Sequence, residues 1–222
     1  MEDYRTVYLD GTRNLLNWLS KSPPQKFVYT SSTGVYGQND GSVVTEASPT
    51  IPESETAKVL IETENTLLAA AREQNFAAII LRISGIYGPG RGYWLKQFKN
   101  GEARLEGDGE RILNMIHRDD VAGAIIAALE KGKTGEIYNV TDDEPVTQIE
   151  LFKWLSKRLS KPLPPAADGP AATRKRAATS KKVSNIRLKT ELGYTLKYPT
   201  FRQGFEAIQH GAQNSDFINT QL

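Results

Sequence analysis

Cysteine is absent from the 222 residues, which excludes disulfides, thiolate metal sites and cysteine nucleophiles and fits a reducing compartment. Histidine occurs only twice, at His117 and His210, with no clustered ligands beside either, so no metal site is expected. No uninterrupted apolar run approaches the ~20 residues needed to span a bilayer. The opening MEDYRTVYLDGTRN has neither the basic segment nor the apolar core of a secretory signal, and the cytoplasm is the expected address. A net charge of +2 is too small for general affinity to polyanions, so neither nucleic acid nor membrane is expected as a partner. No internal repeat is visible. The 39% hydrophobic and 24% charged residues that remain suffice for one ample domain, or a main domain with a small appendage.

Residues 26–58, KFVYTSSTGVYGQNDGSVVTEASPTIPESETAK, organise the rest. An apolar run ends abruptly at Thr30, Ser31, Ser32 and Thr33, which reads as a buried strand over 26–31 opening onto a polar site. Residues 37–53 are a Gly-, Ser-, Asp- and Pro-rich surface loop. The pattern from Ser54 to Gln74 predicts a long helix carrying Lys58 one turn in, with Asn75 closing it. A second all-apolar strand follows over 77–83, and two such strands joined by a helix make a parallel crossover. In open α/β sheets ligands gather beyond the carboxyl ends of strands, where these hydroxyls lie.

Upstream, residues 3–20 have helical spacing, with Gly11 inside and Ser22-Pro23-Pro24 as a stop. Downstream, 93–101 reads as a short helix and 102–113 as a polar hairpin or loop. A helix follows that Asp119 or Asp120 is placed to cap. A third strand lies in EIYNVTDDEP, and Thr147 or a neighbour starts the next helix. Residues 161–182 form a Pro- and Ala-rich excursion with the basic run Arg174-Lys175-Arg176. The tail holds two short amphipathic helices.

Several segments, in this order, resemble the extended short-chain dehydrogenase/reductase superfamily, the NAD-dependent epimerases and dehydratases acting mainly on nucleotide sugars. They are GTRNLL, SSTGVYG, TEASPTIP, LRISGIYGPGR, IHRDDVAGAIIAAL and GEIYNVTDDEP, followed by ELGY and YP near the C-terminus. They look especially like an atypical branch of that family. The resemblance implies an α/β fold: a truncated Rossmann-like parallel sheet over residues 1–92, and a small C-terminal substrate lobe over 93–222 with interleaved core elements and a flexible basic segment near 161–182. It implies hydride exchange with NAD or NADP, a tyrosinate base, a lysine four residues later that lowers the base's pKa and holds the nicotinamide ribose, and a hydroxyl on the substrate oxygen. A cation beside a phenol favours the phenolate by Coulomb attraction.

Carried onto this chain, the resemblance makes Ser32 the hydroxyl and Lys58 the lysine. Thr30, Lys58 and Ile83 line the cofactor, and Ser32, Thr33, Gly85, Tyr87 and Arg91 line the substrate. A homodimer through helices 3–20 and 54–74 is implied on the same ground. Two departures bear on activity. The base position holds Ser54, whose hydroxyl is shorter and far less acidic than a phenol; Tyr36 or Tyr87 would have to reach in from a loop. No strand, glycine-rich turn and helix of the pyrophosphate-binding kind occurs near the N-terminus. Smaller departures are Tyr8 in place of a structural asparagine and Leu113 in place of a phosphate-binding arginine.

Other readings of these residues stay open. Ser31, Ser32 and Thr33 also suit a strand end that satisfies its own backbone groups. Gly88, Pro89, Gly90 and Arg91 suit either a substrate phosphate or a plain turn. His117 is placed for a structural hydrogen bond, and the basic run for a solvated loop. The expected function is that of an epimerase/dehydratase-family protein impaired in catalysis, with cofactor binding by this chain not expected. The alternative is a non-catalytic remnant or binding protein that needs a partner chain or a missing N-terminal segment.

Overall fold

The computed structural model describes residues 2–167 and 179–208. The first helical run is broken into α1 (Glu2–Arg5), a π-helical turn (Thr6–Asp10) and α2 (Gly11–Leu19). The Gly11 N–H reaches back five residues to the Thr6 carbonyl, while the Thr12 hydroxyl takes the Tyr8 carbonyl at 2.6 Å. The expected helix over 3–20 thus forms with one widened turn.

The remaining elements are β1 (Phe27–Ser32), β2 (Val43–Val44), α3 (Glu55–Glu73), β3 (Ala78–Ile83), β4 (Gly85–Tyr87), α4 (Tyr93–Lys99), β5 (Ile112–Leu113), β6 (Met115–His117), α5 (Arg118–Lys131), β7 (Ile137–Val140), β8 (Val146–Thr147), α6 (Gln148–Leu159), β9 (Lys182–Val183) and α7 (Ile186–Thr190). Residues 201–208 are helical again.

The main sheet is parallel, in the order β1-β3-β7, with Phe27 opposite Ala78 at one end and Ser32 opposite Ile83 at the other. All six residues of β3 are buried, as a central parallel strand with helices on both faces requires. The period of two divides them. Ala78 and Ile80 pack with Leu67 and Ala70 of α3, whereas Ile79, Leu81 and Ile83 pack with Ala124, Ala127 and Ala128 of α5. Each fully buried Ile or Leu there contributes about 1.5–3 kcal/mol relative to exposure. A second core, built on Tyr87, Phe98, Phe152, Phe201 and Phe205, joins β4, α4, α6 and residues 201–208.

The helix ends are set by local chemistry. Ser54 accepts the Ala57 N–H at the start of α3, and Asn75, at φ 54°, adopts the left-handed conformation that closes it. Thr147 and Glu150 form a reciprocal capping box on α6. For α5 the expected Asp119 or Asp120 cap is corrected: the His117 ring accepts the Asp119 N–H through Nδ1 at 3.2 Å. Asp120 instead accepts from the Tyr194 hydroxyl and from the Lys197 and Tyr198 N–H groups, pinning the C-terminal segment to α5. The expected polar loop over 102–113 ends in β5, which pairs antiparallel with β8. Residues Arg174, Lys175 and Arg176 lie outside the described residues. Among the described residues no helix is long and apolar enough to cross a membrane, and no group of three or more metal-ligating side chains occurs.

Candidate functional site

The carboxyl end of β1 turns at once into a short 3-10 helix (Thr33–Val35). Ser32 caps it, its Oγ accepting the Gly34 N–H at 3.1 Å, so this half-buried serine satisfies the strand end and keeps its own proton free to donate. Thr33 is buried and Thr30 exposed. Gly37 follows under the returning loop: a Cβ there would stand 2.0 Å from the Ile51 carbonyl oxygen. No side chain fits at that position.

At the other side of the loop, α3 presents Ser54 and Lys58. Ser54 Oγ accepts from Ala57 N at 3.2 Å and lies 3.0 Å from the Thr56 hydroxyl. Lys58 Nζ is paired with Glu55 at 2.6 Å, and both side chains are exposed. Among the described residues no hydrogen bond joins Ser32 to Ser54 or Lys58. Ile83 is buried against α5 with its backbone in the sheet, and Gly85 is exposed.

Two tyrosines considered as replacement bases are placed elsewhere. Tyr36 is wholly buried; its hydroxyl accepts from Arg82 Nη1 at 2.9 Å and donates to Asn139 Oδ1 at 2.8 Å. Burial pushes its phenol up despite the Arg82 charge. Tyr87, named above as a substrate contact, lies in the second core. It is 2% exposed, its ring packs on Phe205 and His117, and its hydroxyl donates to the Thr200 carbonyl at 3.4 Å. Burial, with Asp142 and Asp120 nearby, raises this phenol still further. Arg91 stands exposed at the end of a tight turn closed by reciprocal bonds between Gly88 and Arg91, at 2.7 and 2.9 Å.

Under the site lies a charge network that the sequence reading missed. Arg82, on the α3 face of β3, donates Nε and Nη2 to the Glu64 carboxylate at 2.6–3.2 Å, and Ser31 donates to the same carboxylate at 2.5 Å. Both ionic side chains are at most 5% exposed. Burial alone would lower the Arg82 pKa, but the bonds and charge of Glu64 override it and raise it. The available signal was a single arginine inside the apolar run AIILRIS. Lys181, in the segment near 161–182 expected to be flexible, is 4% exposed and donates to the Tyr36 carbonyl and the Thr179 hydroxyl, both at 2.6 Å. Burial brings its pKa down to about 8.

A pyrophosphate needs open backbone N–H groups at a helix N-terminus. The three longest helices, α3, α5 and α6, each have one N-terminal N–H taken by their own capping side chain, from Ser54, His117 and Thr147. Position 54 offers no phenol beside Lys58.

Comparison with known proteins gives a family model, the NAD dependent epimerase/dehydratase family, matching residues 2–141. The chain is 30% identical over 192 residues to Protein YeeZ of Escherichia coli (strain K12), covering 86% of this chain and 65% of that protein. A functionally unknown conserved protein from Silicibacter pomeroyi DSS is 32% identical with a TM-score of 0.79, over 91% of this chain and 72% of the other. The dTDP-glucose 4,6-dehydratase of Bacillus anthracis str. Ames, solved in complex with NAD, is 27% identical with a TM-score of 0.78, over 93% and 68%.

Proposed function

Because this chain belongs to the NAD dependent epimerase/dehydratase family, we propose that it carries the substrate-facing half of a site for nucleotide-sugar-like carbonyl and hydroxyl chemistry, and that alone it does not turn over. Ser32 is the hydroxyl that would polarise a substrate oxygen, with Thr33, Gly85 and Arg91 around it. Lys58 is the ribose-holding lysine of the family pattern, and Thr30 and Ile83 flank the cofactor side. NAD or NADP would supply the hydride acceptor when bound.

One observation carries the reading: the hydroxyl at position 54 is engaged as the N-cap of α3 while Lys58 pairs with Glu55. A serine hydroxyl does not replace a tyrosinate base, and proton transfer by such a group contributes ~100- to 10,000-fold. The absence of a glycine-rich turn leading into a helix in residues 1–30 supports the second part, that this chain does not hold the dinucleotide by itself. A binding protein working with another chain is the alternative, favoured by the same two observations.

Calorimetric titration with NAD(H) and NADP(H) is expected to give no measurable binding, and micromolar affinity would overturn the reading. Ser54→Tyr alone is expected to create no turnover with nucleotide-sugar substrates. Appreciable activity from that single change would show that the cofactor cradle is present.

A further inference from the structure

Residues 180–184 form a strap laid between two walls of the strand-end site. On one side the Gly41 N–H donates to the Ser180 carbonyl, the Lys182 N–H to the Ser42 carbonyl and the Ser184 N–H to the Val44 carbonyl, each at 2.9 Å. The parallel pairing of β2 with β9 thus fastens the loop that follows Ser32. On the other side Asn114 stands in for a strand: its Nδ2 donates to the Lys181 carbonyl and its Oδ1 accepts the Val183 N–H, both at 2.9 Å. The Asn114 carbonyl in turn takes the Gly85 N–H. One short segment ties the loop after β1 to the start of β4.

A cation is buried in that strap. Lys182 is exposed, whereas Lys181 lies beneath the loop with Nζ on the Tyr36 carbonyl and the Thr179 hydroxyl. Both partners are neutral, and among the described residues no carboxylate pairs with this ammonium. Burial against neutral acceptors leaves much of the hydration of an ammonium unreplaced. An amine in the same place still donates to the carbonyl and accepts from the hydroxyl, without that cost. The surrounding charges do not remove the imbalance. Burial is the largest influence and disfavours the ammonium; Glu53, beyond the loop, favours it; Arg111, just before β5, disfavours it again. Asp40 is exposed and takes the Ser42 N–H, while Glu46 takes the Asn139 N–H.

We propose that this strap is a proton-governed clasp on the loop after β1, loose while Lys181 is an ammonium and tight once it is an amine. The device goes beyond the functional reading and holds whether or not the site turns over. An open strap exposes the side chain, which then titrates like any lysine at about 10.4. The closed strap lets the proton go at about 8. Between those values the open state holds a proton that the closed state has lost, so rising pH favours closure. Below that window both states are protonated, and the grip is at its weakest.

The chain has no cysteine, so a single introduced thiol reports the strap without background. Val44→Cys puts it at a position 1% exposed beside β9. Its rate of reaction with a disulfide reagent, divided by its rate in the urea-unfolded chain, gives the opening constant at each pH. The same thiol in a Lys181→Met background, where the buried stem remains and cannot ionise, supplies the baseline and cancels the titration of the thiol itself. The quotient of the two opening constants, Lys181 over Met, is expected to fall about tenfold or more from about pH 7 to about pH 9.5.

A flat quotient, or one that rises with pH, would overturn the proposal. If either variant fails to fold, the unaltered chain decides. Protection of the Lys182 and Ser184 amides against hydrogen exchange, relative to that of Ile80 in the main sheet, should then rise several-fold between about pH 7 and about pH 8.5. A constant ratio there would overturn it equally.

Discussion

Asp142, just beyond β7, is 2% exposed, with Oδ1 accepting the Glu144 N–H at 3.2 Å and Oδ2 without a partner. Burial, reinforced by the charges of Glu144, Asp143 and Asp120 and opposed by that one bond, pushes its carboxyl up to about 8. In the unfolded chain it titrates near 4. Between those values the native state holds a proton that the unfolded state has released, so stability falls as pH rises through the window and levels off above it. Four units at about 1.4 kcal/mol each set an upper limit of about 5–6 kcal/mol.

Asp142→Asn keeps the acceptor for Glu144 and cannot ionise. Urea unfolding of both proteins from about pH 5 to about pH 9 should show similar stabilities at the acid end. The variant should be more stable by several kcal/mol at the alkaline end. The difference between the two curves isolates this group from others that titrate in the same range. A flat difference, or a variant that loses stability as pH rises relative to the parent, would refute the assignment of a neutral buried carboxyl.

Two further outcomes test the scaffold. Glu64→Gln leaves Arg82 buried against a neutral partner and should cost about 3–5 kcal/mol in urea unfolding. Adding Arg82→Met should recover much of that loss, and a single-variant cost below about 1 kcal/mol would remove the network from the account. Ser54→Ala should cost about 1 kcal/mol through the lost cap on α3. An unchanged unfolding midpoint would mean that the serine hydroxyl is not committed to the helix end.

Much of the sheet was legible because its signals are local. The apolar runs before Thr30 and Ser84 predicted β1 and β3, the spacing from Ser54 to Gln74 predicted α3, and Thr147 or a neighbour marked the start of α6. What escaped depends on partners far along the chain. Arg82 meets Glu64 only after the crossover is folded, and Lys181 is buried only because the loop after β1 lies over it. His117 went unread as a cap because a ring nitrogen does the work usually done by serine or aspartate, two of which stood just after it. Tyr87 sat in a segment that looked like a polar loop. Pairing of β4 with β6 carries it inside, where the second core takes its ring.

Gly37 closes the turn that follows β1, and the carbonyl of Ile51 leaves it no room for a side chain. That glycine, and the tyrosine before it clasped by Arg82 and Asn139, are demanded by the architecture whether or not any reaction occurs. A search that rewards the string SSTGVYG is therefore rewarding a hinge that lets the chain fold back on itself. A relative can lose its chemistry at position 54 and keep the whole of that signature, so a strong match here measures ancestry of shape and is silent on turnover.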